Sequence, residues 1–137
     1  MLGSGLDPIK LADEIRQVAC LDPPYPRLVC ACHDSEIGWV HLSRVTPGES
    51  VSTESLGWVV VAGFPKVSPK PETLEQILGI VTVTHETILK KPGLYMKVCV
   101  KDEVTPDKLA EFTVSVMQKI HGVVDPQNVD VSLEYES

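Results

Sequence analysis

The sequence predicts an α/β chain of the α+β two-layer sandwich kind. An amino-terminal helix and a β-hairpin precede two β-α-β units, and the helices pack on one face of a mixed sheet of four or five strands. Three observations carry this reading. First, Thr105-Pro106-Asp107 opens a helix: a hydroxyl that can accept an early amide, a proline where its missing N–H costs nothing, and a negative charge in the first turn. Leu109, Phe112, Val116 and Ile120 then recur every three or four residues. Second, strict alternation flanks that helix. Tyr95, Lys97, Cys99 and Lys101 interleave with Met96, Val98 and Val100 before it; Val129, Val131 and Leu133 interleave with Asp130, Ser132 and Glu134 after it. Third, the same outline occurs once earlier. The apolar run Trp58-Val59-Val60-Val61-Ala62 is followed by Ser68-Pro69 and by a stripe of Leu74, Ile77, Leu78, Val81, Ile88 and Leu89.

Taken in order, Asp7-Pro8 caps a first helix whose stripe is Leu11, Ile15 and Val18. Asp22-Pro23-Pro24-Tyr25-Pro26 is an extended connector, because a residue before proline avoids the helical region. Residues 28–33 and 37–43 form a hairpin around Asp34-Ser35-Glu36. Its register sets Ala31 opposite Trp39 and Val29 opposite His41 on one face, with Leu28, Cys30, Cys32, Val40 and Leu42 on the other. Residues 45–57 are a polar loop and residues 64–71 a stiff, proline-rich connector. Ile80-Val81-Thr82-Val83-Thr84 is β-branched throughout and suits a strand. The three-four spacing on both sides instead favours one helix running to Lys90-Lys91-Pro92-Gly93, with His85 on it. Gly122 follows the last helix as a residue able to take positive φ. His121, in the final turn, suits the helix dipole as a cation. Asp125-Pro126-Gln127-Asn128 is a turn, and the closing strand is read as a sheet edge.

With 137 residues, the chain is one domain, residues 1–137, long enough to bury a core without staples. Apolar residues are 43% and charged ones 23%, ordinary for a soluble globular protein, and aromatics only 5%, so the core is aliphatic. The net charge of −7 and pI near 5.0 argue against nucleic acid or an anionic membrane surface as partner. No apolar run reaches the length of a membrane span. Met1-Leu2-Gly3-Ser4-Gly5 lacks a signal peptide's features. The four cysteines do not make a disulfide framework. The expected location is cytoplasmic, or an assembled virion component.

Cys30-Ala31-Cys32-His33-Asp34 concentrates the chemistry-bearing residues. Thiolates and imidazole are zinc ligands, but structural zinc takes two ligand pairs with wider spacing. On a strand Cys30 and Cys32 point one way and His33 the other, so the two cysteines read as core and are only weak metal candidates. His33, His41, Trp39 and Asp34 share a face near the hairpin end, where a histidine beside a carboxylate can transfer protons. No motif places a nucleophile, and neither G-x-G-x-x-G nor G-x-x-x-x-G-K-[ST] occurs. No cofactor is predicted.

Residues 96–136 resemble the β-α-β unit of the tautomerase superfamily. The residues concerned are Val98-Cys99-Val100, the Thr105-Pro106-Asp107-Lys108 helix start, and Asp125-Pro126-Gln127-Asn128-Val129-Asp130-Val131 running into Leu133-Glu134-Tyr135-Glu136. The resemblance implies trimers or hexamers and an amino-terminal proline as general base. This chain departs from that pattern: it begins Met1-Leu2, and Pro92, where the unit would start, is internal and has no free amine. Two functions follow as expectations. The first is a non-catalytic, oligomerising or partner-binding module, such as a structural subunit of a viral or phage particle. The second is a tautomerase-like enzyme for a small keto or enol acid, with His33, His41 and Lys97 as candidate catalytic residues.

Overall fold

The computed structural model describes residues 3–4, 7–22, 24–34, 37–45, 56–64, 70–81, 83–88 and 94–135. The elements are β1 (Gly3–Ser4), α1 (Pro8–Ala19), β2 (Arg27–Cys32), β3 (Trp39–Arg44), β4 (Leu56–Phe64), α2 (Pro71–Leu78), β5 (Val83–Ile88), β6 (Leu94–Lys101), α3 (Pro106–Lys119), a 3-10 turn (Pro126–Asn128) and β7 (Val129–Glu134). The class is α+β. The expected tips of the polar loop, of the proline-rich connector and of the 90–93 breaker lie outside the described residues.

The helices begin as their sequences dictate. Asp7 accepts the Ile9 N–H at 2.9 Å and Thr105 accepts the Lys108 N–H at 3.3 Å, each just ahead of a first-turn proline. α1 buries Leu11, Ala12, Ile15 and Val18, and α3 buries Leu109, Phe112, Val116 and Met117. Arg16 ties the two helices together with two 2.8 Å hydrogen bonds to the Asp107 carboxylate. After α3, Gly122 takes φ 71° and the Val123 N–H reaches back to the Met117 carbonyl at 3.0 Å.

The sheet departs from expectation in extent and direction. Among the described residues it has seven strands in the order β1-β7-β2-β3-β4-β6-β5, and every pairing there is antiparallel, not mixed. Three connections bring this about. The hairpin β2–β3 and the return into β4 lay down an antiparallel meander. β5 and β6 pair with each other, and β6 inserts between β4 and β5. The chain then crosses by α3 to the far side, where β7 pairs with β2. β7 is therefore not the edge. It is held by six residue pairs to β2 and flanked by Gly3–Ser4.

The helix expected through residues 71–89 is also corrected. α2 ends at Leu78, with Gly79 as its cap, and Val83–Ile88 is a strand that carries His85. The β-branched run decides this: an extended backbone lets such side chains stand clear of each other, and pairing Val83 with Val100 continues the sheet. Val81, which suggested a continuing helical stripe, is buried from the turn.

One core cluster joins the three helices to one sheet face. Cys30, Val40, Leu42, Val60, Ala62, Met96, Val98 and Val100 meet Ile15, Ile77, Leu109 and Phe112 there. No described helix is long and apolar enough to cross a membrane.

Candidate functional site

Because strand side chains alternate, burying the even-numbered residues of β2, β3, β4 and β6 under helices turns the odd-numbered ones to the other face. The register arranges that face in rows. One row runs Ser132, Val29, His41, Val61, Lys97; the next runs Asp130, Ala31, Trp39, Gly63, Tyr95; the third runs Glu134, Arg27, Ser43, Val59, Cys99. Val29 is buried yet stands outside the helix-covered core cluster. Its cover belongs to this second face.

Trp39 organises the middle of the face. A Cβ built on Gly63 would lie 2.5 Å from Trp39 Cζ2, so the indole lies against bare backbone on the neighbouring strand. His41 stacks on Trp39 with ring centroids 4.3 Å apart and planes 27° apart. Burial, with Arg27 nearby, holds the His41 imidazolium below its ordinary pKa, and Glu134 opposes this. Arg27 donates to Glu134 at 3.0 Å across the β2–β7 pair.

The expected grouping is met in part. His33, Trp39, His41 and Lys97 lie on one face. Lys97 shares the His41 row, with Val61 between them, which puts the two backbones roughly 10 Å apart at ordinary strand spacing. His33 sits at the corner, where its Nε2–H donates to Asp130 at 3.0 Å. Asp130 was not among the sequence-stated candidates; the β2–β7 register that delivers it is a non-local pairing. Cys30 and Cys32 are buried on the helix-covered side. Burial, helped by Glu14 and Cys32, pushes the Cys30 thiol up to about 12, and burial with Asp34 nearby raises Cys32. Among the described residues no group of three metal-binding side chains converges.

At the end of the sheet lies a cleft of about 480 Å³. Cys32, His33, Asp34 and Ile37 line it from the hairpin end, and residues 122–125 with Asn128 line it from the segment after α3. His121 has the structural role expected of it, but as a buried ring and not as the cation that the helix end would suit. It is only 7% exposed, its Nε2–H donates to the Gly63 carbonyl at 2.8 Å, and its ring meets Phe64 at 5.1 Å. Burial lowers its pKa, the carbonyl opposing, and among the described residues the buried Nδ1 has no partner, as fits the neutral ring. Gly38, at φ 139°, makes the space: a Cβ there would strike the Gly63 carbonyl and His121 Nε2. Gly38 directly before Trp39 was the available sequence signal.

No family model, curated protein or solved structure matches this chain.

Proposed function

We propose that this chain is a non-catalytic module that associates with a second copy of itself through the open face of its sheet. One observation carries the reading. The three described helices lie on one side, and the other side presents Trp39, Val59, Val61 and Tyr95 as an apolar block with no described helix over it. Two-layer folds bury such faces by packing a second sheet about 10 Å away. Charge favours a like partner here. The face sets Arg27, Lys97 and Lys101 against Asp130 and Glu134, so it is nearly balanced on a chain of net charge −7. The acidic excess that makes two copies repel lies elsewhere. Reading the second half as two strand–helix–strand units, with β5 between α2 and β6 in the first, belongs to the same proposal, since that arrangement puts every described helix on one face.

Light scattering across a concentration series tests it. The wild type is expected to give a dimer or larger assembly and Val61→Asp a folded monomer. A wild type that stays monomeric at high concentration overturns the reading.

A tautomerase-like activity is the second reading, favoured by the lowered pKa of His41, which keeps it neutral as a proton acceptor near Lys97. Turnover of phenylpyruvate, lost in His41→Asn, would support it; absence of turnover removes it.

A further inference from the structure

We propose that two copies join about a two-fold axis parallel to β3, so that Lys97 of each copy meets Asp130 and Glu134 of the other. This symmetry rests on the self-association proposed above and selects one of two dimers. Sheets that pack face to face in the aligned manner keep their strands within about 30° of each other. A two-fold axis in the interface plane then runs either along the strands or across them. An axis along β3 preserves position along the strands and reverses their order. It sets β7 of one copy over β6 of the other, β2 over β4, and β3 over β3. An axis across the strands sets every strand over itself.

The charges on the face decide between the two. β6 brings Lys97, which is exposed and takes part in no ion pair among the described residues. β7 brings Asp130 and Glu134, one on either side of Ser132. Both carboxylates are engaged once within their own copy: Asp130 accepts from His33 through Oδ1 and Glu134 from Arg27 through Oε2, each at 3.0 Å. Each keeps a second oxygen able to accept a further donor, and both side chains are half-exposed. Arg27 and Lys97 together supply two cations for the two carboxylates.

Lys97 and Ser132 end the same row of the face, so the axis along β3 carries Lys97 over Ser132 of the other copy, between the two acids. The angle between the sheets sharpens the contact. Lys97 stands two strands from β3, about 10 Å, so a rotation of about 30° moves it about 5 Å along the strand. The acidic positions lie about 7 Å from Ser132 in either direction, so a shift of either sign brings the ammonium to a carboxylate. The same operation carries Tyr95, 42% exposed, over the Asp130 row. His41 meets its own mate near the axis as a neutral ring, since burial, with Arg27 nearby, holds its pKa below the ordinary value. An axis across the strands along this row would instead set Lys97 on Lys97 and Asp130 on Glu134, like charge on like charge.

Charge swaps read by sedimentation velocity and native mass spectrometry test this, with circular dichroism checking the fold of each variant. Lys97→Glu sets like charges together at both contacts of the dimer, and so does Asp130→Lys combined with Glu134→Lys. Each should weaken self-association at least tenfold. Mixed together, the two variants face each other with unlike charges at both contacts, one swapped and one native. An isotope-labelled mixture should therefore form a heterodimer with Kd close to that of the wild-type dimer. If D130K with E134K does not fold, Lys97→Met decides, because it keeps the stem and removes the charge. It should loosen the dimer several-fold, whereas an axis across the strands makes it tighten. An undiminished K97E dimer, an equal or tighter K97M dimer, or a mixture of folded variants that stays monomeric overturns this symmetry while the wild-type dimer still stands. A wild type that is monomeric overturns both the symmetry and the self-association beneath it.

Discussion

Replacing Gly38 with alanine should cost far more than a surface glycine ought to. Two terms enter, and the structure separates them. The backbone at φ 139° is a region that residues with a Cβ rarely occupy, and holding alanine there costs about 1–3 kcal/mol. The new methyl also lies inside the contact distances of the Gly63 carbonyl oxygen and His121 Nε2. Those two atoms are hydrogen-bonded to each other at 2.8 Å. Forcing them apart leaves buried polar groups without partners, a further cost of about 1–3 kcal/mol. The sum, roughly 2–6 kcal/mol, is a large share of the 5–15 kcal/mol typical of a domain. Urea unfolding followed by far-ultraviolet circular dichroism and by tryptophan fluorescence measures it, Trp39 reporting from the adjacent position. The separation comes from repeating G38A in a His121→Ala background. There the hydrogen bond is already gone, so the backbone term and the contact with the Gly63 carbonyl remain and the cost should fall by about 1–3 kcal/mol. A G38A protein within about 0.5 kcal/mol of wild type, or an unchanged cost in the His121→Ala background, refutes the reasoning.

Two other outcomes follow from the same burial pattern. His121 and His41 both have pKa values held below the ordinary 6.5, so the unfolded chain takes up protons first as pH falls. Their contribution is fully present above about 6.5 and declines as pH drops from there towards the lowered folded values; urea midpoints measured from pH 7.5 to 5 should show this decline, and H121Q should flatten it. Thiol titration should find Cys20, exposed after α1, reacting with a disulfide reagent in the folded protein. Cys30, with its thiol pushed to about 12, should react only at the rate of global unfolding. Fast modification of Cys30 in the fold would show that the helix layer does not seal it.

What the sequence disclosed was the information written locally. The capping residues Asp7 and Thr105 placed two helices, and the alternation of residues 28–43 gave the hairpin faces and the pairs Ala31–Trp39 and Val29–His41, all observed. Pairing between distant segments was not legible. Nothing in Gly3–Ser4 favours a strand by composition; it becomes one because β7 is there to pair with. Nothing in the tail announces that β7 will zip onto β2, residues apart by most of the chain, and so turn a presumed edge into an interior strand. The run after Gly79 failed differently: its apolar spacing satisfied a helix by coincidence, and β-branching was the better guide. The charge of His121 was misjudged because helix-end position speaks to charge only when the residue is solvated, and burial at 7% exposure reverses that preference.

The period of two that built the sheet also makes its open face testable without disturbing the core. Val60 and Ala62 are fully buried under the helices, whereas Val61 between them is half-buried on the other side. A charge at Val61 therefore enters no helix contact; within a monomer it meets Val59, His41 and Lys97, and Lys97 is a cation that tolerates a carboxylate neighbour. In a face-to-face pair of sheets the same carboxylate loses its water and meets its symmetry mate near the centre, a cost that association has to overcome. The cleft is built on different terms. Apart from Cys32 at the end of β2, its walls come from the segments that join β2 to β3 and α3 to β7, so those residues are free of the alternation that fixes the open face. A substitution at Asp125 should therefore leave the oligomeric state alone, and a change in it would mean that the cleft and the open face are one surface.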